Sequence, residues 1–458
     1  MRAALRWFSS AITAPYHRAF SISEIEREPI LQWVFGGLLF FFFVAFDRWM
    51  TSPNVTIEDA ARGGAVCWEY FQGCADWYFL HAIGTGYSQT LFYMGLYTMM
   101  AYIVYLMWRR RWTGAHALML LLFIWETLVT FVLTFSHAAP YHYYHIALTA
   151  VLLFAPHKEF FLKLVFVFLY FMSVTTKLDA TWVLGTYFTS LRDGPPLFPD
   201  ALTLPITNAV IFMQMIGAWF LMSRNMILQR AAFAYFVFFH FYSGVFVTYF
   251  YPSVSIPSLL ILFGPMYRYT PIPFGWKTLA GWTVIALLAI FQLLGFMASG
   301  DRRITLEGNK FGMFMFEANH QCIVTVGTYS SVPPAGIGGW ESDPGTRCDS
   351  FFCEVKRVTQ KAADALYLRE SRYESGTAWN RCYPYEWWSR YHAACDRDST
   401  IERVSLRIDH SINGGPFYRI VDVTDICGMP YYPLGENRWV KQPPEAPLIG
   451  YPVMNTYN

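Results

Sequence analysis

Residues 160–183 read FFLKLVFVFLYFMSVTTKLDATWV, an apolar run that ends in a lysine and an aspartate. The run from Phe160 to Val174 is long enough to lie within a membrane. Lys177 and Asp179 follow it directly, and charged side chains at the mouth of such a run cost free energy to desolvate. Each of the two therefore calls for either a chemical role or an anchoring role at the membrane surface.

The composition of the whole chain favours a membrane protein. Of its 458 residues, 55% are hydrophobic and only 14% are charged, whereas soluble proteins carry about 25% charged residues. The net charge of +2 is too small to indicate a nucleic-acid partner. Long apolar runs stop near residue 300. We therefore predict an N-terminal segment at 1–29, a transmembrane bundle at 30–299 with an external loop at 51–88, and an external soluble domain at 300–458.

Nine segments have the apolar content of membrane-spanning helices, although some fall short of the ~20 residues that a bilayer needs. They cover residues 30–48, 89–108, 116–136, 142–156, 160–176, 203–222, 231–250, 254–266 and 278–298. The predicted fold is an α-helical, multi-pass membrane domain of about nine spans, followed by a mixed α/β external domain rich in disulfides.

Basic residues predict the orientation of these spans. With nine spans, the N-terminal segment, the arginines at 109–111, and the links that carry Arg224, Lys158 and Arg268 all fall on one side. The positive-inside rule makes that side cytoplasmic or matrix-facing. The loop at 51–88, the link at 177–203 and the domain after residue 300 then fall on the opposite side.

All eight cysteines lie in segments assigned to that opposite side. They are Cys67, Cys74, Cys322, Cys348, Cys353, Cys382, Cys395 and Cys427. An even count confined to one side predicts up to four disulfides in an oxidising compartment, which would be the ER lumen, the periplasm or the intermembrane space. A zinc site is the alternative, but the sequence contains no Cys-x2-Cys pair. The pairing itself stays open.

The external domain has mixed secondary-structure signals. β-Branched and aromatic residues predict strands at Thr305–Glu317 and Cys322–Thr328, and helical spacing predicts helices at Lys356–Tyr373 and Tyr385–Cys395. Asn413-Gly414 stands between two alternating runs, which predicts a β-hairpin over residues 402–423.

Lys177 has two interpretations from the residues alone. An interfacial lysine extends its amine toward the lipid headgroups and serves as an anchor. Alternatively, a lysine in an apolar pocket can serve as a base, because desolvation favours the neutral amine.

Histidines within the apolar runs bear on this choice. His142 and His145 begin the fourth span, and His240 lies in the middle of the seventh. A histidine inside a membrane bundle usually faces the interior and bonds a partner. These three histidines, Glu126 and Lys177 could therefore line one cavity. Metal binding by His142 and His145 is the competing hypothesis.

The stretch Lys177-Leu178-Asp179-Ala180-Thr181-Trp182-Val183 resembles the vitamin K-dependent γ-carboxylases and their bacterial relatives with the horizontally transferred transmembrane domain. Four further stretches agree with that family in order, and together they cover residues 140 to 425. They are His142-Tyr143-Tyr144, Phe239-His240, Glu307-Gly308-Asn309-Lys310-Phe311, and the segment from Arg407 to Gly414.

The resemblance implies a membrane carboxylase, a lyase that acts on the external face. Lys177 would deprotonate reduced vitamin K or another quinol, and His142 would assist proton transfer. With oxygen, the quinol supplies the strong base that allows carbon dioxide to add to a glutamate of a protein or peptide substrate. His240, Trp182 and Asp179 are the candidate cofactor-binding residues, and no metal is expected.

A second hypothesis makes the chain a catalytically inactive scaffold. Thr176 stands where the family often has a further lysine, and Tyr141 stands where it usually has asparagine. The chain would then be an accessory subunit of a larger respiratory or photosynthetic membrane complex. In both hypotheses membrane lipids surround it and nucleic acid does not bind.

Overall fold

The computed structural model describes residues 14–51, 67–73, 87–133, 140–189, 195–246, 249–297, 301–308, 312–314, 318–331, 346–349, 352–360, 366–375 and 382–450. Most of the predicted loop at 51–88 and the first 13 residues lie outside them. The chain divides into two compact units. Unit 1 comprises Met1–Ala65, Gly73–Thr176 and Ala209–Gln292, and unit 2 comprises Val66–Gln72, Lys177–Asn208 and Leu293–Asn458.

In the described parts of the first 300 residues, every predicted apolar run contains a helix. The helices are α1 (Ile22–Arg27), α2 (Pro29–Thr51), α3 (Tyr87–Trp108), α4 (Trp112–Leu128), α5 (Pro140–Phe154), α6 (Lys158–Thr175), α7 (Ala180–Val183), α8 (Thr186–Thr189), α9 (Thr203–Phe212), α10 (Met226–Phe246), α11 (Phe250–Phe263) and α12 (Leu279–Met297). Wider π-helical turns extend α4 over Val129–Leu133 and α9 over Met213–Gly217.

Five helices among the described residues have the length and hydropathy needed to cross a membrane. They are Pro29–Asp47, Gln89–Trp108, Trp112–Val132, Asp200–Phe220 and Trp276–Met297. Each coincides with one of the predicted spans. The sequence was thus sufficient to identify helices that could cross a membrane.

The prediction of nine spans is not supported. Helices α5 and α11 have 15 and 14 residues, which is short of the ~20 that a bilayer needs. Helix α6 carries Lys158, Glu159 and Lys163, and nearly all of its side chains are buried. Helix α10 carries Gln229 and Arg230. Apolar runs also arise where a helix is enclosed by its neighbours, so the sidedness counted from nine spans stays a prediction.

Contacts within unit 1 gather several connecting segments at one end of its helices. The backbone amides of His157 and Lys158 donate to the carboxylate of Glu24 over 2.9 and 2.8 Å. Arg268 reaches Glu28 at 2.8 Å, and Arg224 donates to Tyr269 at 3.1 Å. The positive-inside rule assigned these segments to the same side of the membrane. We call them the basic end of unit 1.

Unit 2 contains a seven-stranded antiparallel sheet. Its strands are β1 (His320–Ser330), β2 (Thr346–Asp349), β3 (Phe352–Gln360), β4 (Tyr367–Ser375), β5 (Ile401–Ile412), β6 (Phe417–Val423) and β7 (Leu448–Ile449). Their order in the sheet is β2-β3-β4-β1-β5-β6-β7. Strands β5 and β6 pair where the sequence predicted a hairpin. Asn413 and Gly414 both adopt positive φ there, as a type I′ turn requires.

Two disulfides fasten the helix α14 (Pro384–Arg397), one to the sheet and one to the turn that follows β6. Cys382, just before the helix, pairs with Cys322 of β1, and Cys395 in the last turns pairs with Cys427. Cys67 is disulfide-bonded as well. Cys74 lies outside the described residues, as do the side chains of Cys348 and Cys353.

Two secondary-structure predictions for the external domain are wrong. Residues 356–373 were expected to be helical, but their described parts belong to β3 and β4. Hydrogen bonding to β1 and to each other outweighs the helical spacing of their side chains. The strand expected from Thr305 is instead the end of the helix α13 (Arg302–Thr305), which Asp301 caps. A turn with Gly308 at φ 78 follows it. The helix predicted at Tyr385–Cys395 is confirmed as α14.

Candidate functional site

Lys177 lies in unit 2, in the short connection between α6 and α7. Its side chain is buried, at 2% exposure, although a lysine that extends into the headgroups would remain exposed. The amine lies 5.6 Å from the centre of the Trp182 ring, and Trp182 stacks on Tyr187 with ring centres 4.9 Å apart. An ammonium over an aromatic face is attracted to its π electrons. The structure thus buries Lys177 beside the Trp182 ring.

Asp179 has a structural position beside that lysine. It is the N-cap of α7, and its Oδ1 accepts from the backbone amide of Thr181 at 2.6 Å. The same oxygen lies 3.1 Å from the guanidinium of Arg303. The carboxylate therefore fixes the turn after Lys177, and its predicted contact with a cofactor stays a prediction.

Glu126 joins the two predicted histidines of α5 in unit 1. Its Oε1 lies 3.1 Å from Nδ1 of His142, and its Oε2 lies 2.6 Å from Nδ1 of His145. All three side chains are buried. Positions 142 and 145 share one face of the helix because they are three residues apart. One carboxylate thus orients both imidazoles.

The hydrogen bonds limit where protons can reside in this group. Nε2 of His145 lies 2.9 Å from the carbonyl oxygen of Leu38, so that nitrogen must be the donor. The remaining contact of His145, with Oε2 of Glu126, must then contain one proton that either partner can hold. With the Glu126 carboxylate as the acceptor, Nδ1 of His142 is the donor and Nε2 is the basic nitrogen. Carboxylate–histidine pairs in enzymes orient their bases in the same way.

His240 belongs to a separate series of buried hydrogen bonds in unit 1. The hydroxyl of Ser255 donates to the carbonyl of Tyr251 at 3.0 Å, so it accepts from Nδ1 of His240, also at 3.0 Å. Nε2 of His240 then accepts from the hydroxyl of Tyr170. Both imidazole nitrogens are thus satisfied by protein groups in a neutral tautomer. This series of hydrogen bonds is typical of a structural histidine. The role of His240 in binding a cofactor stays a prediction.

The structure therefore brings together some of the expected residues. Glu126, His142 and His145 form one cluster, and His240 forms another. Lys177 belongs to the other unit. In the described parts of the chain, no group of three or more histidine, cysteine or acidic residues is placed to hold a metal ion.

An ion cluster that the sequence analysis missed lies at the basic end of unit 1. The amine of Lys163 bonds Glu159 at 2.7 Å, and Arg268 bonds the same carboxylate at 2.5 Å. The signal was present in the sequence, since Lys163 interrupts an otherwise apolar run. Charged residues in such runs are buried only with partners.

A second missed cluster holds acidic and phenolic groups inside unit 2. The hydroxyl of Tyr383 donates to Glu69 at 2.5 Å, and Tyr431 reaches the other oxygen of Glu69 at 3.4 Å. Asn437 donates to Glu307 at 2.8 Å. Burial raises the pKa of Glu307 to about 7; the charge of nearby Glu436 adds to the rise, and the hydrogen bond from Asn437 opposes it.

Unit 2 also buries a pair of histidines. Nδ1 of His320 lies 3.1 Å from Nε2 of His410, whose Nδ1 contacts the carbonyl of Ile304. Burial lowers the pKa of His410 to about 4 and lowers the pKa of His320 well below its usual range, to which His410 contributes. Both are neutral at physiological pH and join β1 to β5.

Comparison of the chain with models of protein families, with curated proteins and with solved structures finds no match. The functional assignment therefore rests on the geometry above and on the sequence motifs.

Proposed function

We propose that this chain is an integral membrane enzyme of the γ-carboxylase type, which couples oxidation of a quinol to carboxylation of a glutamate side chain. The observation that carries the proposal is the Glu126–His142 pair. A carboxylate and two histidines inside an apolar helix bundle are costly to bury. That cost is expected where the groups move protons, and His142 is the residue that the motif resemblance selects for this role.

Lys177 supports the proposal independently, from its own unit. Deprotonating a quinol requires a neutral amine, and enzymes obtain one by burying a lysine. Lys177 is buried beside Trp182. Asp179 caps the next helix and so holds the backbone turn that carries the lysine.

The residues around Lys177 fit a flat aromatic co-substrate. Trp182 and Tyr187 already form a stack of flat rings at an interplanar angle of 20°. A quinol bound there would supply the reducing electrons of the reaction. Trp182 would orient its ring, and Lys177 would accept its phenolic proton.

The test is quinol epoxidation and peptide carboxylation by the purified chain in nanodiscs. Reduced vitamin K, oxygen, labelled bicarbonate and a glutamate peptide are supplied, and epoxide and fixed label are measured. We expect Lys177→Ala to abolish both products. Glu126→Gln should lower them at least ten-fold, because general acid–base groups contribute about 10²–10⁴-fold.

Lys277→Ala is the matched control, because Lys277 is an exposed lysine that has no part in the proposal. It should retain full turnover. Equal turnover by the parent chain and Lys177→Ala would refute the proposal, and so would the absence of turnover with every quinol tried.

The packing around the histidines favours a second candidate, a non-catalytic subunit of a larger membrane assembly. The ring centre of Trp49 lies 5.0 Å from that of His142. The ring centres of Phe41 and Phe42 each lie 4.5 Å from that of His145. Such close packing also suits a purely structural cluster. Stable co-purification with many membrane subunits from native membranes would support this candidate, whereas a chain purified alone would count against it.

A further inference from the structure

A cavity of about 380 Å³ opens at the basic end of unit 1. Residues from three segments line it: 24–31, at the end of α1 and the start of α2; 157–160, at the start of α6; and 268–273, after α11. Its volume lies within the usual range for small-molecule sites, about 300–1,000 Å³. None of its lining residues belongs to the Glu126 cluster.

The cavity lies beside the ends of two membrane-crossing helices. Glu28 immediately precedes the candidate span Pro29–Asp47, and Pro273 lies just before the candidate span Trp276–Met297. Phe274 and Trp276 next to it are 89% and 84% exposed. Large aromatic side chains in this position are typical of the boundary between hydrocarbon and water. Phospholipid headgroups occupy that boundary in every bilayer.

The charges around the cavity are of both signs. Arg268 pairs with Glu159 and Glu28, yet its side chain stays 55% exposed and that of Glu28 36% exposed. The carboxylate of Glu24 accepts hydrogen bonds from the backbone amides at the start of α6. Arg27 is exposed, and within the described ranges it makes no ion pair. The cavity therefore presents guanidinium groups and an accessible carboxylate close together.

We propose that this cavity binds the headgroup of a zwitterionic phospholipid with a primary ammonium group, such as phosphatidylethanolamine. Arg27 and Arg268 bind the phosphate, because guanidinium groups match phosphate oxygens with paired hydrogen bonds. Glu28 binds the ammonium, which has three protons to donate. The acyl chains lie along the exposed apolar side chains at 274–276.

The net charge of the lining favours this lipid over an anionic one. Glu24, Glu28 and Glu159 contribute three negative charges, and Arg27, Arg268 and Lys163, the partner of Glu159, contribute three positive charges. A zwitterionic headgroup preserves this balance, whereas an anionic headgroup adds a net negative charge and has no ammonium to place at Glu28. A choline headgroup has no N–H to donate to Glu28.

The test is lipid retention by the whole chain. The protein is reconstituted in nanodiscs that contain equal parts of phosphatidylethanolamine, phosphatidylcholine and phosphatidylglycerol, then released into mild detergent and weighed by native mass spectrometry. We expect phosphatidylethanolamine to be retained at least five-fold over the other two. Equal retention of the three lipids, or a preference for phosphatidylglycerol, would overturn the proposal.

Two variants locate the site. Arg27→Gln should lower the retention at least five-fold, whereas Arg18→Gln, an exposed arginine in the same terminal region, should not. Thr270→Trp leaves the ion cluster intact and fills the cavity, so it should have the same effect as Arg27→Gln. Retention unchanged by both Arg27→Gln and Thr270→Trp would refute the assignment to this cavity.

A water-soluble phosphate compound has the same chemistry as the headgroup. Glycerophosphoethanolamine, which lacks acyl chains, is therefore added to detergent-solubilised protein as a separate arm. Failure of millimolar amounts to displace or replace the lipid supports a membrane lipid as the ligand. Saturable binding that depends on Arg27, with no lipid retained, overturns it.

Discussion

Glu307→Gln should remove a pH dependence of stability in unit 2. Glu307 is 5% exposed, and burial raises its pKa from the usual 4.5 to about 7. Between these two values the folded unit binds more protons than the unfolded chain does. The contribution of Glu307 to the stability of unit 2 is therefore fully present below pH 4.5. It is lost as the pH rises through 7. At about 1.36 kcal/mol for each pH unit, the loss amounts to about 3 kcal/mol.

Glutamine mimics the protonated acid. It keeps an oxygen that can accept from Asn437, and it does not titrate. We expect Glu307→Gln to match the parent chain near pH 4.5 and to exceed its stability by about 3 kcal/mol above pH 8. The variant thus separates the cost of the charge from the loss of the hydrogen bond.

Hydrogen exchange measured by mass spectrometry suits this test, because it reports local opening in the intact chain in nanodiscs. Peptides that contain residues 301–308 and 437 are followed from pH 4.5 to 8.5, with the intrinsic exchange rate divided out. Glu436→Gln, at an exposed acid nearby, is the control and should preserve most of the slope. Identical slopes in the parent chain and in Glu307→Gln would refute the reasoning.

Two further predictions concern partners that the tertiary structure brings together. Lys163→Met should destabilise unit 1 by about 2 kcal/mol, since Glu159 loses one charged partner but keeps Arg268. Adding Glu159→Gln should recover part of this loss, as measured by thermal unfolding. A double variant that is less stable than Lys163→Met would contradict this account. Replacing Cys395 and Cys427 by alanine removes a disulfide between residues 32 apart and should lower the stability of unit 2 by about 3–4 kcal/mol. Hydrogen exchange should rise first in α14. Unchanged protection of α14 would contradict the assigned role of the disulfide.

Some of the candidate site followed from local sequence. His142 and His145 fall on one helical face because of their spacing, and Glu126 was among the residues expected nearby. The bonds between them could not be derived, since the side chains come from two helices whose packing depends on the whole of unit 1. The same holds for the burial of Lys177, which a sequence at a helix end leaves undecided between an anchor and an enclosed amine.

The wrong helix prediction in unit 2 has a clear physical cause. The segment from Lys356 has helical spacing, but its described parts lie in β3 and β4, which pair with each other, and β4 also pairs with β1. Sheet pairing is a contact between distant residues, so local spacing does not report it. By contrast, the Asn413-Gly414 turn follows from φ preferences of those two residues alone.

The sequence by itself determined where the apolar helices form and where the main hairpin turns, because hydropathy and turn preferences act over a few residues. The tertiary structure alone decided which apolar helices are enclosed by protein and which charges are paired. Glu69 meets Tyr383 across 314 residues of chain, and Lys163 meets Arg268 through a shared carboxylate. Burial of a charge depends on every element that packs around it, and no single stretch of sequence contains that information.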